Sequence, residues 1–334
     1  MLKTAEKENT ERIERPKKLL IVCGQTATGK TNLALRLAHQ FSGEVLAADS
    51  RHVYKGLDIL TGKDIPRGFS HHFSRMMVHG RRIGFYGEGT RIWCYDLFEP
   101  HEQSSVFAYT DVASLVLQHI WAEEHLPIAV GGTGLYLRAL TGEISKFGTG
   151  PDVELRARLE QESLLVLQET LRKKDTLQWE SMNLSDRKNP RRLIRKIEIA
   201  TNSAGGHNIR THEPLDTLWI GLTAPIESLE ERIERRVRAR IAAGVIEEVA
   251  CFYGQGSIKK PTIPVLGLPL IVRYLDRAIA QDQLVRMWVT SERRYAKRQL
   301  TWFKKQPGIH WFDINEARYE DRVTSLVRAW YTKK

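Results

Sequence analysis

Cysteine is scarce in this chain. Cys23, Cys94 and Cys251 are scattered and odd in number, and no C-x-x-C pair exists. That argues against a disulfide framework and against a cysteine zinc site. No apolar run approaches the ~20 residues that span a bilayer, so no membrane role is expected. Internal repeats and low-complexity tracts are also missing, which sets aside solenoids and disordered arrays. Residues 1–17 mix both charge signs without an apolar stretch, unlike a secretory signal. They are expected to form a polar tail, and by elimination the chain is expected in the cytoplasm.

What is present is a globular composition with a cationic excess. Among 334 residues, 51 are Lys or Arg and 40 are Asp or Glu, a formal net charge of +11. RNA or DNA fits that balance, and so does a merely soluble basic protein. Leu19 to Cys23 is a short apolar run before Gly24, the pattern of a buried strand. Lys30 to Phe41 has helical spacing. Val45–Ala48, Ile92–Leu97 and Pro127–Val130 read as further strands, with a helix over Ser105–His125. Strand and helix in alternation predict an α/β fold, a parallel sheet flanked by helices on both faces. Residues 18–141 and 213–334 form this core with its C-terminal helices. Between them, 142–212 reads as a helical insertion domain, with helices over 151–174 and 190–200 and a loop at 203–208. Ile226–Ala243 and Leu284–Lys305 are long charged helices, and Leu218–Leu222 and Ile309–Ile314 are late strands.

Gly24-Gln25-Thr26-Ala27-Thr28-Gly29-Lys30-Thr31 matches G-x-x-x-x-G-K-[ST], with a strand before it and a helix after it. Such a P-loop turns its amides into one anion-sized hollow. The following helix N-terminus adds partial positive charge. Lys30 would reach a terminal phosphate, and the Thr31 hydroxyl would hold Mg²⁺, the expected cofactor. The loop alone marks nucleotide and ATP binding and does not choose a reaction. A phosphoryl-transfer enzyme needs an acid at the end of another strand. Asp49 and Asp96 both qualify by position, and neither follows a strong acidic motif.

Four further segments accompany the loop. They are Asp49-Ser50-Arg51-His52-Val53-Tyr54-Lys55-Gly56-Leu57-Asp58-Ile59, Gly131-Gly132-Thr133-Gly134-Leu135-Tyr136, Asn189-Pro190-Arg191-Arg192-Leu193-Ile194-Arg195 and Ala296-Lys297-Arg298-Gln299-Leu300-Thr301-Trp302-Phe303. In this order, from about Leu19 to Phe303, the chain resembles the tRNA dimethylallyltransferases (tRNA isopentenyltransferases). The resemblance implies transfer of the dimethylallyl group of dimethylallyl diphosphate to N6 of adenosine 37, beside the anticodon of tRNA, with release of diphosphate. The P-loop would then hold a prenyl diphosphate. Asp49 matches the family's catalytic aspartate, Thr133 a threonine beside the reacting groups, and Arg236 an arginine that faces the diphosphate. Ser50, Arg51 and His52 fall in the adenosine-contacting loop. Arg156, Arg191, Arg192 and Arg195 match positions near the RNA, and Lys297 and Arg298 belong to the same expected tRNA surface. A monomer acting on the anticodon loop is the implied assembly.

Three departures stand out. The family's Asp-Ser-x-Gln-Val-Tyr has His52 for glutamine here. Its Gly-Tyr-(Lys/Arg)-Glu-like segment reads Gly267-Leu268-Pro269-Leu270, and a typical methionine is Arg240. The Cys/His zinc finger of some eukaryotic relatives is absent, which makes the resemblance bacterial in type.

Spacing supports a polyanion surface by itself. Arg191/Arg195, Arg192/Lys196, Arg293/Lys297 and Arg294/Arg298 are i,i+4 cation pairs, which cost an isolated helix a few tenths of a kcal/mol. Near Arg191–Lys196 the sequence offers one acid, Glu198. Arg232, Arg236 and Arg240 share a face, while Glu231/Arg235 and Glu234/Arg238 suit a self-neutralising solvated face. Trp302 and Phe303 suit core or base stacking, and His71-His72 suits a loop better than a metal site. Three rivals remain: prenylation of free adenine nucleotides, a P-loop kinase, and an RNA-binding protein with a nucleotide sensor.

Overall fold

A computed structural model of the chain describes residues 16–102, 104–142, 150–202, 215–254, 263 and 265–333. The first part runs β1 (Lys17–Gly24), α1 (Lys30–Gln40), β2 (Gly43–Ala47), α2 (Asp58–Thr61), β3 (Ser70–Val78), β4 (Arg81–Glu88), β5 (Thr90–Trp93), α3 (Val106–Ala122), β6 (Leu126–Val130) and α4 (Gly134–Leu140). Five helices follow: α5 (Val153–Leu159), α6 (Leu164–Lys174), α7 (Thr176–Ser181), α8 (Leu184–Arg187) and α9 (Pro190–Thr201). β7 (Leu215–Thr223), α10 (Ile226–Ala242), α11 (Val245–Gly254), α12 (Leu268–Leu275), α13 (Gln281–Phe303), β8 (Ile309–Asp313) and α14 (Tyr319–Tyr331) complete the chain.

The strands form one sheet in the order β3-β4-β5-β2-β6-β1-β7-β8. From β5 to β8 all neighbours are parallel. β1 lies near the centre, with Leu20 opposite Ile128 on one side and Leu218 on the other. Its side chains alternate between two apolar layers. Leu19, Ile21 and Cys23 pack with Tyr109, Val237 and Ala296, under α3, α10 and α13. Leu20 and Val22 pack with Leu33, Leu37, Val323 and Val327, under α1 and α14. A strand buried on both faces has no use for polar alternation, which explains its continuous apolar run.

The sheet departs from the expected pattern at one edge. β3 and β4 form an antiparallel hairpin on β5, so His71 and His72 lie on a strand and not in a loop. His79 and Gly80 both have positive φ at the turn, as a tight hairpin turn of primed type requires. The strand expected over Ile92–Leu97 stops at Trp93, because Cys94 (φ 68°) and Asp96 (φ 57°) turn the chain.

Helices α5 to α9 carry their own apolar cluster, built on Leu159, Leu167, Leu171, Leu193 and Ile197. The single helix expected over 151–174 is two helices. Ser163 caps α6, its hydroxyl accepting the Val166 amide at 3.3 Å, and a serine cap fixes where a helix begins. The expected loop at 203–208 lies outside the described residues, as does the tail before residue 16. No described helix is long and apolar enough to cross a membrane.

Candidate functional site

The parallel strands deliver their C-terminal ends to one side of the sheet, where ligands bind in open α/β folds. After β1 the chain must turn at once into α1. Gly24 makes this turn with φ 129°, and a Cβ there would stand 2.1 Å from the Leu222 carbonyl oxygen. Gly29, with φ 84°, begins α1, whose first amides have no partner inside the helix. The Gln25 carbonyl accepts from Lys30 Nζ at 2.5 Å and from Thr28 Oγ1 at 2.7 Å. The Gln25 side chain is held by Thr223 Oγ1 at 2.9 Å.

A cavity of about 440 Å³ opens over this loop. Thr26, Ala27, Gly29, Lys30 and Thr31 line it, together with Asp49 from the end of β2 and Gly131 and Gly132 from the end of β6. Arg232, Arg235 and Arg236 of α10 close the opposite wall. Five cations (Lys30, Arg51, Arg232, Arg235 and Arg236) thus face two carboxylates, Asp49 and Asp64. The excess positive charge suits a ligand with several negative charges.

Two of the α10 cations are placed by specific contacts. Arg232 Nε donates to the Ala27 carbonyl at 2.8 Å. Arg236 donates to Thr26 Oγ1 at 3.2 Å, to the Gly62 carbonyl at 3.0 Å and to Asp64 at 2.8 Å. Burial and the nearby Arg236 charge draw the Lys30 ammonium down to about 8. Burial alone would raise the Asp49 carboxyl, but the adjacent Arg51 guanidinium and its hydrogen bonds outweigh it and hold Asp49 well below the carboxylate range. Burial pulls the His52 imidazole to about 4 despite Asp49, so His52 is neutral near pH 7. Its ring meets Tyr95 edge-on at 5.4 Å.

Ser50 and Thr133 bond each other: Thr133 Oγ1 accepts the Ser50 amide at 3.1 Å and lies 3.3 Å from Ser50 Oγ. That contact ties the loop after β2 to the loop after β6. Gln299, which the sequence shows only as part of its segment, has a defined place in the cavity. It is buried on α13, accepts the Thr26 amide at 2.7 Å and donates to the Gly132 carbonyl at 3.1 Å. Its signal was available, since Glu292, Ala296, Gln299 and Phe303 form the buried stripe of α13. A polar residue in such a stripe needs a partner.

The other strand-end acid behaves differently. Asp96 pairs with Lys63, whose ammonium also pairs with Asp58, and it accepts the Tyr86 hydroxyl at 2.5 Å. It faces a second cavity of about 720 Å³, under the β3–β4 hairpin.

The remaining sequence candidates lie apart from the P-loop cavity. Arg156 and Arg195 both pair with Glu198, which is fully buried. Arg192 pairs with Asp186, a second acid beside the basic stripe that sequence proximity had not suggested. Arg195 also lies 5.5 Å from the centre of the Phe107 ring at the start of α3. Arg191, Lys297 and Arg298 are exposed, with Arg298 beside the Tyr295 ring. Phe303 is buried in the core, and the Trp302 ring fills the space over Gly134. Leu268 is buried at the start of α12, and Arg240 is buried beside Glu292 at 3.5 Å. Among the described residues no group of His, Cys, Asp or Glu could hold a metal.

The fold and this site can be compared with known proteins. A tRNA dimethylallyltransferase of Pelotomaculum thermopropionicum is 33% identical over 308 residues, covering 89% of this chain and 90% of that protein. One from Anoxybacillus flavithermus is 33% identical over 320 residues, covering 93% and 95%. The solved full-length tRNA isopentenylpyrophosphate transferase of Bacillus halodurans superposes with a TM-score of 0.64 at 28% identity, covering 94% of this chain and 96% of that one. A eukaryotic dimethylallyltransferase acting on tRNA shares the fold, with a TM-score of 0.70 at 22% identity, covering 94% of this chain and 77% of that one. The model of the family described as IPP transferase matches residues 87–306, and the chain belongs to that family.

Proposed function

We propose that this chain transfers the dimethylallyl group of dimethylallyl diphosphate to N6 of adenosine 37 in tRNA and releases diphosphate. One observation carries the reading: the Asp49 carboxylate, Lys30 of the P-loop and the arginines of α10 share a single cavity. A bare P-loop would serve a kinase equally well. A carboxylate in the same cavity gives an attacking amine somewhere to leave its proton.

In this reading the N6 amine attacks C1 of the prenyl group, and the C1–O bond breaks with its electron pair going to diphosphate. One N6 proton passes to Asp49. Lys30, Arg236 and the loop amides stabilise the departing charge, in a setting that needs no reorganisation at the moment of reaction. Arg232 and Arg235 extend the same cationic wall. Thr133 acts through Ser50 to aim the carboxylate. Ser50 and His52 border the entering adenosine, and the neutral His52 ring can accept or donate one hydrogen bond to a base edge.

Mg²⁺ fits the site as an ion carried in by the diphosphate. The Thr31 hydroxyl lines the cavity, while both carboxylates there are engaged by arginines. One protein oxygen plus phosphate oxygens and water is a common Mg²⁺ environment, and the ion would add charge neutralisation to the leaving group.

The tRNA surface would run from the cavity over Lys297 and Arg298 to Arg156, Arg191, Arg192 and Arg195 on the helical unit. An anticodon-loop base must leave its stack to enter, at a cost of a few kcal/mol, and phosphate contacts along this surface offset that cost. The protein would work in the cytoplasm as a monomer.

The test is radiolabelled dimethylallyl diphosphate offered with tRNA, with AMP and without acceptor, beside an ATP turnover control. Label on tRNA alone is expected. Label on AMP but not on tRNA would make it a free-nucleotide prenyltransferase, and ATP turnover without label transfer would make it a kinase.

A further inference from the structure

Arg51 occupies a position that the family pattern leaves open, and Arg240 stands where a methionine is typical. Both are buried, and both turn to the same acid. Arg51 is 7% exposed, Arg240 8% and Glu292 4%. Glu292 Oε1 lies 4.0 Å from Arg51 NH1, 3.5 Å from Arg240 NH1 and 3.4 Å from the Trp288 indole nitrogen, which donates to it. The Arg51 guanidinium also lies 4.4 Å from the centre of the Tyr295 ring.

On its other side Arg51 holds Asp49. Oδ1 accepts the Arg51 amide at 3.0 Å and Nε at 3.2 Å, and Oδ2 accepts NH2 at 3.2 Å. An ionised carboxylate offers roughly four acceptor positions. Three are filled by Arg51, and the fourth is on Oδ2. A Cβ at Gly132 would stand 3.4 Å from Oδ2 and 2.0 Å from the Gln299 side-chain nitrogen, so the Gly132 backbone and the Gln299 amide border that oxygen.

We propose that Arg51 is a positioning residue of the transfer reaction: it clamps Asp49 so that the one remaining acceptor position, on Oδ2 beside Gly132, receives the N6 proton, and Glu292 with Arg240 holds the clamp. The proposal rests on the transfer reaction proposed above. Arg51 therefore acts through Asp49 and not through the RNA. A guanidinium fork fixes both oxygens of a carboxylate, which an ammonium cannot do.

The groups around Asp49 make pH a useful probe. Arg51 and His52 flank it on its own loop, and Lys30 faces it from α1. Tyr95, Tyr109, Tyr136 and Tyr295 surround it, all raised by burial and so neutral below pH 8. Without Arg51, burial is the largest remaining influence on Asp49 and acts upward. An acidic limb should then enter the accessible range.

The experiment measures single-turnover transfer to tRNA from pH 5 to 8, with tRNA affinity by filter binding, for wild type, Arg51→Met, Arg51→Lys and Glu292→Gln. Wild type should be nearly flat with pH. Arg51→Met should be slower by about 10- to 100-fold, part of the range for a displaced general base, and should lose further rate as pH falls. Arg51→Lys should be slow but flat, and Glu292→Gln several-fold slower and flat, all with tRNA affinity within about twofold. Should Arg51→Met fail to fold, Arg51→Lys and Glu292→Gln decide, and wild-type rates in both overturn the proposal. So does a loss confined to tRNA affinity, with the saturated rate intact. Wild type that never labels tRNA overturns the transfer reading as well.

Discussion

Asp49 lies just past the end of β2 and Asp96 just past the end of β5, and the two acids have opposite surroundings. Asp49, after β2, lines a cavity rich in cations, with both its oxygens held by Arg51. Asp96, after β5, is consumed by Lys63 and by the Tyr86 hydroxyl. Lys63 is itself fully buried and shared with Asp58. The segment from Asp58 to Asp64 separates the two cavities and serves both. Its Lys63 side chain reaches one acid, while its Gly62 carbonyl and Asp64 hold Arg236 on the other side. A strand-end acid is thus a candidate by position only, and its neighbours decide between chemistry and architecture.

Substitution should separate the two roles most widely at Asp49. Asp49→Ala should lower turnover by roughly 10²–10⁴ while leaving tRNA affinity close to wild type. Steady-state kinetics with filter binding measures this, and unchanged turnover would remove Asp49 from the reaction. Asp96→Ala should spare turnover and lose stability alone. Removing one partner of a buried pair costs about 3 kcal/mol, the low end of the range because Asp58 stays on Lys63. Denaturant unfolding should register that loss, and the folded fraction should turn over at a rate near that of wild type. A turnover defect at Asp96 as deep as at Asp49 would erase the distinction.

The contrast also marks how far the sequence could be read. β1, β2, β6 and β7 are fully buried over most of their length, so apolar runs announce them. Asn189 and Pro190 announce α9, the asparagine side chain capping the helix and the proline at its first turn. The β3–β4 hairpin is quieter. It is exposed, polar and aromatic by turns, and a register shift between Phe73 and Met77 breaks its alternation. The glycine-lysine loop and Asp49 were legible because their chemistry demands fixed residue types. The roles of Gln299 and Glu292 were not, because they depend on α13 folding back across some 250 residues of sequence to meet the P-loop and the loop after β2.

Between the two cavities the cations differ as well. Lys63 is neutralised by two carboxylates, whereas Lys30 is drawn down to about 8 by burial and Arg236. Lys30→Ala should raise the KM for the prenyl diphosphate by about 10- to 100-fold, the worth of one charge-assisted hydrogen bond. The sign with pH follows from the lowered pKa. The free protein sheds the Lys30 proton as pH rises through about 8, so donor KM should climb above that pH in wild type and stay flat in Lys30→Ala. A wild-type KM that does not change from pH 7 to 9.5 would contradict this.

The smallest expected effect lies on α9, where the same question of paired against unpaired charge recurs. Arg195 shares the buried Glu198 with Arg156, so Arg195→Ala disturbs packing as well as charge. Arg191 is exposed and offers a cleaner probe. If it meets a tRNA phosphate, Arg191→Ala should flatten the salt dependence of binding by about 0.7–0.9 log units per log unit of salt, with an unchanged melting temperature. The counterion released with each phosphate contact sets that slope, whatever the identity of the neighbouring bases. A slope identical to wild type would take Arg191 off the RNA surface and leave α9 as a structural helix whose charges are balanced from within.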